Sequence, residues 1–389
     1  MPQSGEFDLQ TEIMIIAAEA SSAHYAKKLI QHWREKGRDY VFFGVGSDDM
    51  EAIGFERIGK SEEMAVVGAA EIVAHYSQLK GIFNQLVQAA SQRRPKFVIL
   101  MDYPEFNLML AKKMHQLGIK SFYYISPQVW AWRQGRVETI KKYCEKVFLL
   151  FPFEVDFYKS KNVPYEFVGH PLLDELDPDL LNADKIQQRK EQYGIKKNEK
   201  LLALMPGSRR GELNQHLEIQ LQVARKLLQR HEHLRIAFLV APTIRREEFL
   251  QRLENFKSPY MILQDDPFKM ISLADYVLVA SGTATLMVGL LQKPMVIMYR
   301  MKWLTGVFVK VFVRGVKFFG LVNLILGSEV APERMQSEAN PEELFALLDR
   351  YIIDEVHRKA TVEKLSQLPV YLGERGATAR VAESLEKYL

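Results

Sequence analysis

The stretch Lys96-Phe-Val-Ile-Leu-Met101, followed at once by Asp102-Tyr-Pro-Glu-Phe-Asn107, decides the fold. Five consecutive apolar residues leave no polar face, so the strand they form must be covered on both sides. The strand ends on an acid, Tyr103-Pro104 bends the chain, and a helical pattern follows from residue 107 to 117. A doubly covered strand passing into a helix is the repeating unit of a parallel α/β sheet. The same unit recurs on either side. Residues 13–18 and 40–44 read as strands before it, and 120–125, 145–150 and 165–168 as strands after it. Helical patterns at 23–36 and 78–92 separate the early ones.

The alternation stops at 174–200, a polar segment with Asp177-Pro178 and one charged helix, and then restarts. Strands are expected at 201–205, 234–241, 261–263, 276–280 and 294–299, with a helix at 213–231. A chain of 389 residues exceeds one ordinary core and suits two. The economical architecture is two doubly wound, Rossmann-like parallel sheets facing a cleft. Residues 1–175 are expected to form one and residues 176–340 the other. Helices at 341–389 brace the domains or a dimer partner. Ligands of such sheets sit beyond the carboxyl ends of the strands, which singles out Glu19, Asp102, Ser126, Ser208-Arg209 and Ser281-Gly282-Thr283.

The formal charge of +4 suits phosphorylated substrates or an anionic lipid surface, and nothing points to nucleic acid. A single cysteine, Cys144, offers neither an internal disulfide nor a zinc cluster, and a reducing, cytoplasmic setting follows. No histidine or cysteine spacing reads as a metal site. The first twelve residues lack a basic and apolar leader pattern, and no apolar run is long enough to span a bilayer.

Five constellations carry chemistry. In Ala280-Ser-Gly-Thr-Ala-Thr-Leu286 a strand stops, small residues follow and a helix begins. Such an N-terminus attracts anions through free amides and partial positive charge, and the hydroxyls add donors. An ordinary N-cap by Ser281 or Thr283 fits the pattern equally well. In Met205-Pro-Gly-Ser-Arg-Arg-Gly211, Arg209 stands at a strand end where a guanidinium can hold a diphosphate. Asp102 follows a buried strand, where a partly desolvated carboxylate can act as general base; capping the next helix is the competing role. Glu19 is a similar case. Ile125-Ser-Pro-Gln-Val-Trp-Ala-Trp-Arg133 places Trp130 and Trp132 beside arginines, a surface for a sugar face or an acyl chain, or for domain packing. Residues 300–326 are aromatic and basic, with Lys310, Arg314 and Lys317 on one helical stripe and no acid among them. That pattern fits a helix lying in a membrane interface or an internal helix with a wet stripe.

Taken in order, these segments resemble the lipid A disaccharide synthases, glycosyltransferases of the two-domain GT-B class. The resemblance runs through Gly44-Val-Gly46 with Met50-Glu-Ala52, Asp102-Tyr-Pro-Glu-Phe-Asn107 and Tyr124-Ile-Ser-Pro-Gln-Val-Trp-Ala-Trp-Arg133. It continues in Pro152-Phe-Glu154, Val168-Gly-His-Pro-Leu172, Leu204-Met-Pro-Gly-Ser-Arg209, Ala280–Leu286, Pro294-Met-Val296, Tyr299-Arg-Met301 and Asn323-Leu-Ile-Leu-Gly327. It implies transfer of a sugar from UDP-2,3-diacylglucosamine to the 6-hydroxyl of 2,3-diacylglucosamine 1-phosphate. The products are a β-1,6 disaccharide 1-phosphate and UDP. By the same resemblance Asp102 is the base and Glu19 a second catalytic or orienting carboxylate. Ser208, Arg209, Ser281, Gly282, Thr283, Ala284, Thr285, Arg300 and Asn323 hold the donor, with Ser126 and Trp130 also in contact with substrate. Neither metal nor cofactor is implied. A peripheral place on the inner face of the inner membrane and a homodimer are implied as well.

Two departures stand out. The family's first loop reads Gly-Glu-x-Ser-Gly-Asp, whereas this chain has Ala18-Glu19-Ala20-Ser21-Ser22-Ala23. Met287 replaces a glutamate of the kind that binds ribose hydroxyls, a bond methionine cannot make. Two further readings therefore stay open here: a GT-B paralogue with another donor or acceptor, and a catalytically weak lipid-binding membrane protein.

Overall fold

The structure, a computed structural model, describes residues 10–64, 72–127, 129, 135–300 and 318–389. It divides into two compact units, Met1–Asp174 with Leu372–Leu389, and Glu175–Tyr371. The tail 341–389 is thus shared between them. Its helices Pro341–Ile353 and Glu355–Leu365 belong to the second unit, and Ala377–Glu386 to the first.

The first unit is a seven-stranded parallel sheet: β1 (Glu12–Ala17), β2 (Val41–Gly46), β3 (Glu56–Lys60), β4 (Phe97–Met101), β5 (Lys120–Tyr124), β6 (Lys146–Leu149) and β7 (Tyr165–Phe167). The spatial order is β3-β2-β1-β4-β5-β6-β7, so direction reverses between β1 and β4. That is the topological switch point, where such sheets bind ligands. All five residues of β4 are fully buried. Val98 and Leu100 join the core beneath the helix Pro104–Gln116, while Phe97 meets Phe122 of β5 edge-to-face at 5.4 Å on the other side. That second face is why the chain returns: Tyr388, just beyond the helix Ala377–Glu386, meets Phe122 at 4.7 Å. The returning helix packs on the helix Ala20–Glu35.

The second unit is a six-stranded parallel sheet: β8 (Lys200–Met205), β9 (Leu234–Leu239), β10 (Met261–Leu263), β11 (Tyr276–Ala280), β12 (Met295–Tyr299) and β13 (Glu333–Met335), ordered β10-β9-β8-β11-β12-β13. Its switch point lies between β8 and β11. The helices Arg210–Arg230 and Pro341–Ile353 pack together over its core. Sequence reading missed β3 and β13. Both are edge strands, and both carry charge where a central strand would be apolar.

Candidate active site

In the first unit, parallel register gathers three of the expected residues at one end of the sheet. Ala17 pairs with Met101, and Met101 with Tyr124, so Glu19, Asp102 and Ser126 leave adjacent strands together. Asp102, Tyr103 and Ile125 all adopt left-handed backbone, with φ of 49°, 43° and 64°. None is glycine, and strain of this kind persists only where the surroundings hold it. Here the surroundings are visible. The Asp102 carbonyl accepts from Asn107 Nδ2 (2.7 Å) and from the Tyr123 hydroxyl (2.5 Å), and its N–H donates to the Ile125 carbonyl (3.3 Å). Burial first, then the Asp102 charge, pushes the Tyr123 phenol well above its ordinary range, which keeps it a donor. The helix begins at Pro104 with Tyr103 at its N-cap, so the N-cap position is not Asp102. Half-buried at the strand end, the Asp102 side chain is aimed by a backbone fixed at both its groups.

Glu19 is the N-cap of the helix Ala20–Glu35. Its N–H donates to Ser22 Oγ (3.0 Å), whose hydroxyl donates back to the Glu19 carbonyl (2.8 Å). Burial raises the Tyr103 phenol, and the charges of Glu19 and Glu105 add to it. Ser126 bonds the buried Tyr158 hydroxyl and donates to the Pro127 carbonyl (3.1 Å). Trp130, Trp132 and the stripe Lys310, Arg314 and Lys317 lie outside the described residues.

The second unit places β8, β11 and β12 side by side, so Ser208, Arg209, Ser281–Thr285 and Arg300 share one sheet end. The two turns differ. At Pro206–Arg209, Gly207 has φ of 125°, and a Cβ there would strike the Glu212 side chain. That carboxylate accepts from the amides of Ser208 (2.8 Å) and Arg209 (3.3 Å), the groups an incoming phosphate would otherwise take. At Ser281–Thr285, Gly282 is the N-cap and no side chain caps the helix Thr283–Leu290. Thr285 turns its hydroxyl inward to the Gly282 carbonyl (2.8 Å). Neither Ser281 nor Thr283 takes the capping role.

His216 fastens the two sides of this end and was not anticipated. It is fully buried; Nδ1–H donates to the Pro206 carbonyl (2.8 Å) and Nε2 accepts from the Arg300 N–H (3.0 Å). Both bonds need the neutral Nδ1–H tautomer, and burial lowers its pKa accordingly. Asn323, expected to hold the donor, is tied into the protein's own hydrogen bonds. It is fully buried, and both amide hydrogens go to the Ala331 carbonyl and Glu333, each at 2.6 Å. Its oxygen accepts from Val330 and Ala331, both at 2.8 Å. These four bonds use both hydrogens and both lone pairs of the amide. Through one of them it orients Glu333, which takes the amides of Phe319 and Gly320. Among the described residues no cluster of His, Cys, Asp and Glu could hold a metal, and no helix is long and apolar enough to cross a membrane.

The comparisons with known proteins bear on family and fold. A family model described as lipid-A-disaccharide synthetase matches residues 13–388. The lipid-A-disaccharide synthase of Myxococcus xanthus is 35% identical over 97% of this chain and 97% of its own. Lipid-A-disaccharide synthase 1 of Legionella pneumophila is 35% identical over 92% of each. Among solved structures, the UDP-GlcNAc 2-epimerase of Neisseria meningitidis, bound to UDP-GlcNAc, has a TM-score of 0.65 at 12% identity. The match covers 97% of this chain and 99% of that one, a likeness of fold.

Proposed function

The chain belongs to the lipid-A-disaccharide synthase family and is a glycosyltransferase of the GT-B fold, and from that premise we propose how its residues divide the work. The acceptor 6-hydroxyl of 2,3-diacylglucosamine 1-phosphate attacks the anomeric carbon of UDP-2,3-diacylglucosamine. The bond from that carbon to the diphosphate oxygen breaks, and the acceptor proton passes to Asp102. The products are the β-1,6 disaccharide 1-phosphate and UDP, with one inversion at the anomeric carbon. Glu19 orients the acceptor. Arg209 and the amides of the Ser281–Thr285 turn take the charge that grows on the leaving diphosphate. Ser208, Arg300 and Ser126 line the substrates, and Trp130 offers a face to a sugar or acyl chain. The single observation that carries the base assignment is the triply clamped, left-handed backbone at Asp102.

The relatives favour an active synthase over a non-catalytic lipid binder. The aromatic, basic segment at 302–326 supports a peripheral seat on an anionic membrane face, with the inner membrane's cytoplasmic side the natural one. A homodimer is part of the same reading. The test is product analysis with both substrates, chelator present, for the parent and Asp102→Asn. Disaccharide phosphate and UDP in equal amounts from the parent, with the variant bound to UDP but nearly inert, is the expected result. An equally active variant would remove Asp102 from the role of base, and absence of product from the parent would redirect the search to another sugar pair.

A further inference from the structure

The second unit has a cavity of about 290 Å³ at the end of its sheet opposite the donor turns. It opens at the amino ends of β8, β11 and β12, where Lys200 begins one strand, Asp275 precedes the next and Lys293 lies just before the third. Arg358 and Lys359, from the helix Glu355–Leu365, complete its wall. Cations outnumber acids here. Asp275 is bonded to the buried Lys190 (2.5 Å) and to the Leu201 N–H (2.8 Å), with Lys200 farther off at 3.6 Å. Glu355 is taken by Lys359 (2.8 Å), and Arg358 donates to the Tyr351 carbonyl (2.7 Å). One carboxylate therefore serves Lys190, Lys200 and Lys293. Desolvation, with Lys190 adding repulsion, lowers the Lys293 amine to about 8 in spite of Asp275.

Like charges gathered round a concavity repel, and packing alone gains nothing from gathering them. An occupant carrying two negative charges would relieve that repulsion. A phosphate group has this charge, and its oxygens match the lysine and arginine donors of the wall. We propose that this cavity binds a phosphate-bearing ligand, at a site separate from the donor site. Lys200, Lys293 and Arg358 supply the charge and Lys359 closes the outer rim. The phosphate belongs either to a free small molecule or to a lipid headgroup, and one experiment distinguishes them.

That experiment follows the Lys293 Cε resonance of the full chain by NMR, assigned with Lys293→Arg. UDP is left out, since its own diphosphate could enter the cavity, and Lys293, which lines the cavity, reports that site alone. Titrated alone, the signal is expected to have its midpoint near 8. Added pyrophosphate or inorganic phosphate is expected to raise the midpoint by about one to two units, and Lys200→Gln with Lys359→Gln to abolish the rise. Both of those side chains are largely exposed, so the double variant keeps the fold. A rise with phosphatidylglycerol vesicles and none with free phosphate supports the site and assigns the phosphate to a headgroup. No rise with any of these, or an equal rise with chloride at matched ionic strength, overturns the proposal.

Discussion

The turn after β4 and the turns after β8 and β11 do the same topological job in different backbone. The first unit bends through three non-glycine residues held left-handed, Asp102, Tyr103 and Ile125, and locks them with Asn107 and Tyr123. The second unit bends at Gly207 and Gly282, where positive φ is inexpensive. A proton acceptor works through one side chain aimed at one atom, so a rigid, strained backbone serves it. A diphosphate is held over several oxygens by amides and a guanidinium, so a bare, accommodating backbone serves it. At these turns the same fold thus places its backbone strain where direction matters.

The largest effect should come from the strained side. Asp102→Asn keeps the size and the left-handed tolerance of the residue but removes the proton acceptor. A loss of about 10²- to 10⁴-fold in kcat is expected, with donor KM little changed. Steady-state kinetics beside an unchanged melting curve checks this. A rate within twofold of the parent would mean that the clamp aims at something other than proton transfer.

Arg209→Ala is next and probes the permissive side. Removing a donor aimed at charge that develops in the transition state lowers rates by about 10²- to 10³-fold. Arg209→Lys should recover part of the rate, since the charge returns without the planar fork. Because Glu212 already occupies the Ser208 and Arg209 amides, the proposed diphosphate contact of this turn falls to the side chain rather than the backbone. If Arg209→Ala were harmless, the uncapped Ser281–Thr285 turn would be carrying the charge alone.

How much of this was legible in the chain follows the same contrast. The strand run 96–101, the small-residue turn at 280–286 and the proline-glycine turn at 206–207 all announce themselves by composition, and each sits where it was expected. The strain at Asp102 and Ile125 does not, because a left-handed φ leaves no mark in a non-glycine residue. His216 was equally silent. Its partners, Pro206 and Arg300, are backbone groups 10 and 84 residues away, so no local pattern signals the bond. The bonds of Asn323 were silent for the mirror-image reason: a motif asparagine looks the same in sequence whatever its amide faces, here Ala331 and Glu333. The charged edges β3 and β13 were lost because an edge strand is read against the apolar rule that finds its neighbours.

His216→Phe should cost about tenfold in kcat/KM, since two buried backbone groups lose their partner at about 1–3 kcal/mol each and the Arg300 side slackens against Pro206. His216→Gln, which can still donate and accept, should recover most of it. The sign of the pH effect also separates the two variants from the parent. With its folded pKa below the ordinary histidine value, His216 binds fewer protons folded than unfolded. Its contribution is therefore intact at neutral pH, and stability is lost as pH falls below about 6.5. Acid unfolding of His216→Gln should lack that component. Identical acid midpoints in parent and variant would show that another group governs the transition.

The smallest effect tests whether the permissive turn can regain what Met287 gave up. Met287 lies half-buried on the helix Thr283–Leu290, one turn beyond the uncapped end. A glutamate there places two acceptors near the position expected for ribose hydroxyls, worth about 1–3 kcal/mol when both bond. The same glutamate adds a negative charge near the diphosphate, which opposes binding. The two contributions have opposite signs, and the choice of ligand separates them. Calorimetry of Met287→Glu should give UDP binding about tenfold tighter and pyrophosphate binding slightly weaker, because pyrophosphate has no ribose to repay the repulsion. Weakening of both by the same factor would mean the helix points its Met287 face away from the ribose. The nucleotide would then be held chiefly through its phosphates, and the missing glutamate would be a change of fit rather than a lost contact.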